Sequence, residues 1–212
     1  MTADKQAGIN KKSHRYLFEE YSEALVVAVI LAIIIRALFV QAFKIPSGSM
    51  ERTLLVGDHI LVNKFIYGFH IPFTDKRWPA FVKPRRGDVI VFVFPGDRTK
   101  DFIKRVVGVA GDTIAIRNKK VIVNGKEVNN PHAHFDSNVL MPGDMNPRDN
   151  MKPLTVPPEH LFVMGDNRDF SLDSRFWGFV PVDDVKGEAF LIYYSGADLQ
   201  FVRWNRFFKV IR

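Results

Sequence analysis

The chain has 212 residues, 47% of them hydrophobic, which is enough for one folded domain with a real core and a further segment. Its formal charge of +7 suits a nucleic-acid binder or a protein lying against anionic lipid, so charge alone does not choose between them. Cysteine is absent, which excludes disulfides, thiolate zinc sites and a cysteine nucleophile.

In chain order, residues 1–23 carry Lys5, Lys11, Lys12 and Arg15, and Ala24–Phe43 follows as an apolar run whose one charge is Arg36. As a helix this run is about the ~30 Å of a bilayer core, so it predicts a transmembrane anchor over 24–43. A cleaved leader would have a shorter apolar region and a small-residue cleavage site, whereas this run continues into a constrained Pro-Ser-Gly-Ser stretch. Arg36 is close enough to the end of the run to snorkel. The positive flank places residues 1–23 in the cytoplasm and the domain 44–212 outside it.

Beyond the anchor comes IPSGSM (Ile45–Met50), where Pro46 fixes and Gly48 frees the backbone beside two serines. Taken alone it is most simply a membrane-exit turn with two ordinary hydroxyls. The segment Tyr67–Phe81 holds Phe69, Ile71, Phe73, Trp78 and Phe81, a composition that suits the lipid headgroup region. The tail Phe201–Arg212 has the same mixture, and suits equally a segment that closes a sheet.

Short β-branched runs predict strands at His59–Phe65, Asp88–Phe94, Phe102–Ala110, Thr113–Arg117, Lys120–Gly125 and Ala189–Tyr194. Arg117-Asn118-Lys119 is expected to link two strands as a hairpin, and Asn124-Gly125 to turn the chain again before Val128. The polar, proline-rich stretch from Asn129 to Pro158 is expected to carry little regular structure. The fold class is therefore mainly β, with antiparallel sheets behind one N-terminal transmembrane helix.

Chemistry must come from few groups. A serine nucleophile needs a base, and none of the six histidines is convincingly placed; no Gly-X-Ser-X-Gly elbow or His-Glu-X-X-His helix is present. Lys104 stands inside the apolar strand Asp101–Asp112 beside Arg105, and strict alternation turns one of these two cations inward. An edge strand with both charges in water fits as well. With an unperturbed pKa near 10.4, only about 0.1% of a lysine is neutral near neutral pH, so a usable base requires a depression of roughly 2–3 units by burial. A third stretch, Leu161–Pro181, is an apolar strand followed by a dense set of Gly, Asp, Asn, Arg and Ser, either a solvated turn or a hydrogen-bonded scaffold.

Taken together, PSGSMERTLLVGDHILVNK, DFIKRVVGVAGD and MGDNRDFSLDSRFWGFVP, in that order behind an anchor, resemble the three signature boxes of bacterial type I signal peptidases. The resemblance implies Ser49 as nucleophile and Lys104 as general base, with Ser171 bonding the lysine amine. It implies an oxyanion hole from the Ser49 amide and the Ser47 hydroxyl, an Asp173–Arg175 ion pair in support, and a turn shaped by Gly165, Asp166 and Asn167. It further implies substrate pockets at Phe43, Ile45, Met50, Leu54, Ile60, Phe102 and Ile103, shallow enough for small residues at −1 and −3 of an exported preprotein. For Leu54 and Ile60, simple core packing explains the residues nearly as well. No metal or other cofactor and no nucleic acid is implied; the partners are preproteins and membrane lipid, at the cytoplasmic membrane. One departure is visible, because Arg52 stands where the family usually has proline. Two competing readings are a self-cleaving serine–lysine repressor, opposed by the anchor and by the lack of a helix-turn-helix, and a membrane-tethered peptide-binding module without catalysis, which would need a broken dyad.

Overall fold

The computed structural model of the chain describes residues 21–31, 33, 39–68, 81–142, 146–196 and 201–212. The basic segment before residue 21, Arg36 and the aromatic residues of 69–80 lie outside the described residues. The chain divides into two units, 1–40 and 41–212. In the first, residues 21–31 are helical, and Leu25, Val26, Val27, Val29, Ile30 and Leu31 are all exposed. Among the described residues no helix is long and apolar enough to cross a membrane.

The second unit is built from strands β1 (Val40–Lys44), β2 (Asp58–Asn63), β3 (Val89–Val93), β4 (Asp101–Val109), β5 (Thr113–Arg117), β6 (Lys120–Val123), β7 (Lys126–Glu127), β8 (Met151–Thr155), β9 (His160–Met164), β10 (Val180–Pro181), β11 (Val185–Ser195) and β12 (Lys209–Val210). One sheet runs β1-β2-β11-β3-β4-β9-β10, with β12 also on β11, and a second runs β7-β6-β5-β8. The strands expected from β-branched runs are present to within a few residues.

Both hairpins of the small sheet form, the first with Arg117 still paired in β5 so that only Asn118 and Lys119 make the turn. Asn118 and Lys119 take φ 48° and 69°, and Asn124 and Gly125 take 51° and 79°, so each two-residue turn has positive φ at both positions and matches the twist of its strands.

Two expectations differ. Val40–Phe43, the end of the apolar run, is strand and not helix, because β1 joins the sheet beside β2 and Phe43 packs on the core that Ile45 enters. The stretch from Asn129 to Pro158 contains β8, which pairs with β5. Its residues, Met-Lys-Pro-Leu-Thr, are mostly exposed and show no apolar alternation; β8 is an edge strand made by backbone pairing, and an edge tolerates Pro153.

Three apolar clusters hold the unit together. Met50, Leu54, Ile60, Val62, Val91, Ile103 and Ile192 form one, Ile90, Phe92, Val106, Leu161 and Val163 a second, and Val107, Ile114, Ile116, Phe162 and Met164 a third, joining the two sheets. Strand β4 contributes to all three, so it is covered on both faces. That is why Lys104 and Arg105 are both buried, at 4% and 3% exposure, where alternation would turn only one of them inward.

Candidate active site

The segment Ile45–Met50 leaves β1 and closes into a single 3₁₀ turn, Gly48–Met50. Met50 and Leu54, fully buried in the first cluster, pin this turn to the sheet. The result places Ser49, 9% exposed, against β4. Lys104 Nζ lies 2.7 Å from Ser49 Oγ and 3.0 Å from the Ile103 carbonyl oxygen, which accepts from it. No carboxylate is within ion-pair distance of Lys104 among the described residues. Burial pushes its ammonium down from the ordinary value near 10.5 to about 8, while Asp173 and Asp166 pull it up and Arg175 pushes it further down.

A cleft of about 720 Å³ opens over this pair, with Pro46, Ser47, Phe102, Ile103, Asn167 and Leu172 among its walls. Ser47 is exposed and its side chain caps nothing.

The turn after β9 supports the pair from below. Asn167 donates from its backbone N–H to Ser49 O at 3.1 Å, and from Nδ2 to Gly48 O at 3.3 Å. Gly165 passes so close that a Cβ there would overlap Ser49 O and the Ser171 hydroxyl, so only glycine fits. Asp173 accepts from the Gly165 N–H at 3.0 Å and pairs with Arg175 at 2.8 Å, both side chains buried.

A family model described as signal peptidase, peptidase S26, matches residues 18–194. The chain belongs to that family. Signal peptidase I of Pseudomonas fluorescens is 34% identical across 95% of this chain and 81% of that protein. Signal peptidase I of Aquifex aeolicus (strain VF5) is 38% identical across 79% of this chain and 81% of its own length. A crystal structure of a signal peptidase I from Enterococcus faecalis V583 covers 51% of this chain and 98% of that one, at 28% identity and a TM-score of 0.42.

Of the residues singled out in sequence, Ser47, Ser49, Phe102, Ile103 and Lys104 line the cleft. Ile45, Met50, Leu54 and Ile60 do not; they are core, and Phe43 packs against the same cluster. Asp173 and Arg175 form the expected ion pair. Ser171 differs from expectation. Its hydroxyl is buried without a hydrogen-bond partner among the described residues, packed beside Gly165, while the Lys104 amine is engaged by Ser49 and the Ile103 carbonyl.

Sequence reasoning missed the role of Arg105. It forms a two-bond ion pair with Asp166 at 2.8 and 2.7 Å, and Asp166 also accepts from Thr53 Oγ1 at 2.6 Å, tying β4, the nucleophile turn and the β9 turn together. The signal was present as Arg105 beside Lys104 and Asp166 in the third box, but nothing local pairs residues 61 positions apart. Arg52 takes φ 76°, a left-handed conformation that proline cannot adopt.

Proposed function

We propose that Ser49 is the nucleophile and Lys104 the general base of a membrane-tethered endopeptidase that removes signal peptides from exported preproteins. The observation that carries this reading is the 2.7 Å approach of Nζ to Oγ at a lysine that has no carboxylate partner among the described residues. In its neutral form the amine accepts the Ser49 O–H; Oγ attacks the scissile carbonyl carbon, and the proton passes to Nζ. The negative charge that develops on the carbonyl oxygen is met by the Ser49 amide and the Ser47 hydroxyl. The Lys104 ammonium then protonates the leaving amine, the peptide bond breaks, and the signal peptide remains as an ester on Ser49. Lys104, neutral again, takes a proton from the incoming water, whose oxygen attacks the ester carbonyl. Return of that proton to Oγ frees the serine and the new carboxylate. The Ser171 hydroxyl, buried without a hydrogen-bond partner among the described residues, is assigned the role of orienting the amine during these transfers.

An extended substrate pairs along β4 and the segment leading to Ser49, where Phe102 and Ile103 leave shallow space suited to small side chains at −1 and −3. The apolar run that starts at Ala24 anchors the chain in the cytoplasmic membrane with residues 1–23 inside. Its support is a helical stretch whose described residues from 25 to 31 are apolar and exposed all round. The deciding experiment incubates the purified full chain with a preprotein and maps the cut by mass spectrometry. One cut after a small residue is expected, absent in Ser49→Ala; an intact preprotein, or a Ser49→Ala variant that cuts equally well, defeats the proposal.

A further inference from the structure

Buried arginines in this unit come with carboxylates. Arg105 is held by Asp166, Arg175 by Asp173, and Arg206 by Asp58. Arg168, 3% exposed, is treated differently. Its Nε donates to the Gly165 carbonyl at 3.2 Å, and among the described residues Nη1 and Nη2 donate to nothing and meet no carboxylate within ion-pair distance. Burial, then the charge of Arg175, pushes its guanidinium down to about 10 against the pull of Asp166 and Asp173. A buried cation in this condition destabilises the fold unless something compensates it.

The guanidinium lines a cavity of about 330 Å³, separate from the catalytic cleft, between β4 and the loop 129–132. Arg86, Arg105 and His132 also line it, Val106 and Val128 give it apolar walls, and among the described residues no acidic side chain lines it. The carboxylates of Asp112 and Asp166 are already occupied by Arg86 and Arg105. A second cavity of about 210 Å³ shares Arg168 and Val128 with the first and is also lined by Lys119 and Lys120. Its one acid, Glu127, is paired with Lys120.

We propose that this cavity is a binding site for a small organic phosphate. Its phosphoryl oxygens accept from Nη1 and Nη2 of Arg168, as guanidinium geometry favours, and its apolar body lies along Val106 and Val128. The amide N–H of Arg168 donates to His134 O at 2.8 Å, and the adjacent Asn167 holds Ser49 O, so an anion here braces the turn beneath the nucleophile without entering the cleft.

The test is calorimetric titration of the full chain, in nonionic detergent, with butyl phosphate and with inorganic phosphate. Butyl phosphate is expected to bind saturably, about tenfold tighter than inorganic phosphate because of the buried chain. Arg168→Met is expected to weaken both by about tenfold or more through the lost charge-assisted bonds. Val128→Phe alters a side chain that is already 41% exposed, so it leaves the fold intact whatever Arg168→Met does. It should weaken butyl phosphate several-fold and leave inorganic phosphate unchanged. Ser49→Ala should bind as the parent does, and its loss of binding would place the ligand in the cleft and overturn the assignment. So would the absence of binding by the parent, or affinities untouched by both Arg168→Met and Val128→Phe. Equal affinity for the two probes would overturn the apolar half of the assignment.

Discussion

Lys104 and Arg105 are consecutive, cationic and equally buried on β4, yet their surroundings are opposite. Arg105 is met by Asp166 in a two-bond ion pair, with the Gly87 carbonyl accepting at 2.7 Å. Lys104 is met by a hydroxyl and a carbonyl and, among the described residues, by no carboxylate, and its proton is loosened toward about 8. Burial alone therefore does not make a base; burial with the counter-ion withheld does. The neighbouring arginine uses the same desolvated environment to tie three segments together, because a guanidinium does not give up its proton at accessible pH.

The contrast breaks most sharply at Lys104→Arg, which keeps the charge and removes the base. Preprotein cleavage should fall by about 10³-fold or more with the fold retained. Turnover near the parental rate by a folded Lys104→Arg protein would refute the serine–lysine reading. On the other side of the pair, Arg105→Met leaves Asp166 buried and unpaired and should cost about 3–5 kcal/mol in chemical denaturation. Adding Asp166→Leu should recover part of that loss. A single variant as stable as the parent would mean that the ion pair contributes no net stability.

The withheld counter-ion also predicts a pH profile. Since the neutral amine is the active form and its pKa is lowered, kcat/KM should rise with pH, about tenfold per unit below about 8, and level off above it. A rise centred near 10.5 would show that Lys104 is not desolvated during turnover. The smallest effect concerns Arg52, held at φ 76° beside the nucleophile turn. Arg52→Gly should stabilise by about 1 kcal/mol by relieving a left-handed non-glycine residue, whereas Arg52→Pro should lower the melting temperature. Stabilisation by proline would mean that the turn readily adopts the other backbone.

Much of the architecture was legible in sequence because it rests on local rules. Alternating β-branched runs locate β2 to β6 and β11, and Asn124-Gly125 sets a hairpin through its tolerance of positive φ, while the other hairpin turn is one residue shorter than expected because Arg117 belongs to β5. Strand β8 was illegible, since an exposed edge strand held by backbone bonds carries no side-chain pattern. Val40–Phe43 was misassigned because an apolar run looks alike to a bilayer and to a protein core.

At the site, the residue types and their order pointed to Ser49, Lys104, Asp173 and Arg175 before any geometry was in hand. What tertiary structure decided was which buried charges found partners. Among the described residues, Arg105 meets Asp166 across 61 residues, Lys104 meets no carboxylate, the Ser171 hydroxyl is left without a bond, and Arg168 lines an open cavity. Ile45, Met50, Leu54 and Ile60, apolar enough in sequence for a pocket, became core when the 3₁₀ turn folded onto the sheet. The physical reason is range: backbone preferences and side-chain periodicity act over a few residues and can be read along the chain. Desolvation and ion pairing depend on what the fold brings within a few ångströms, and no local pattern records it.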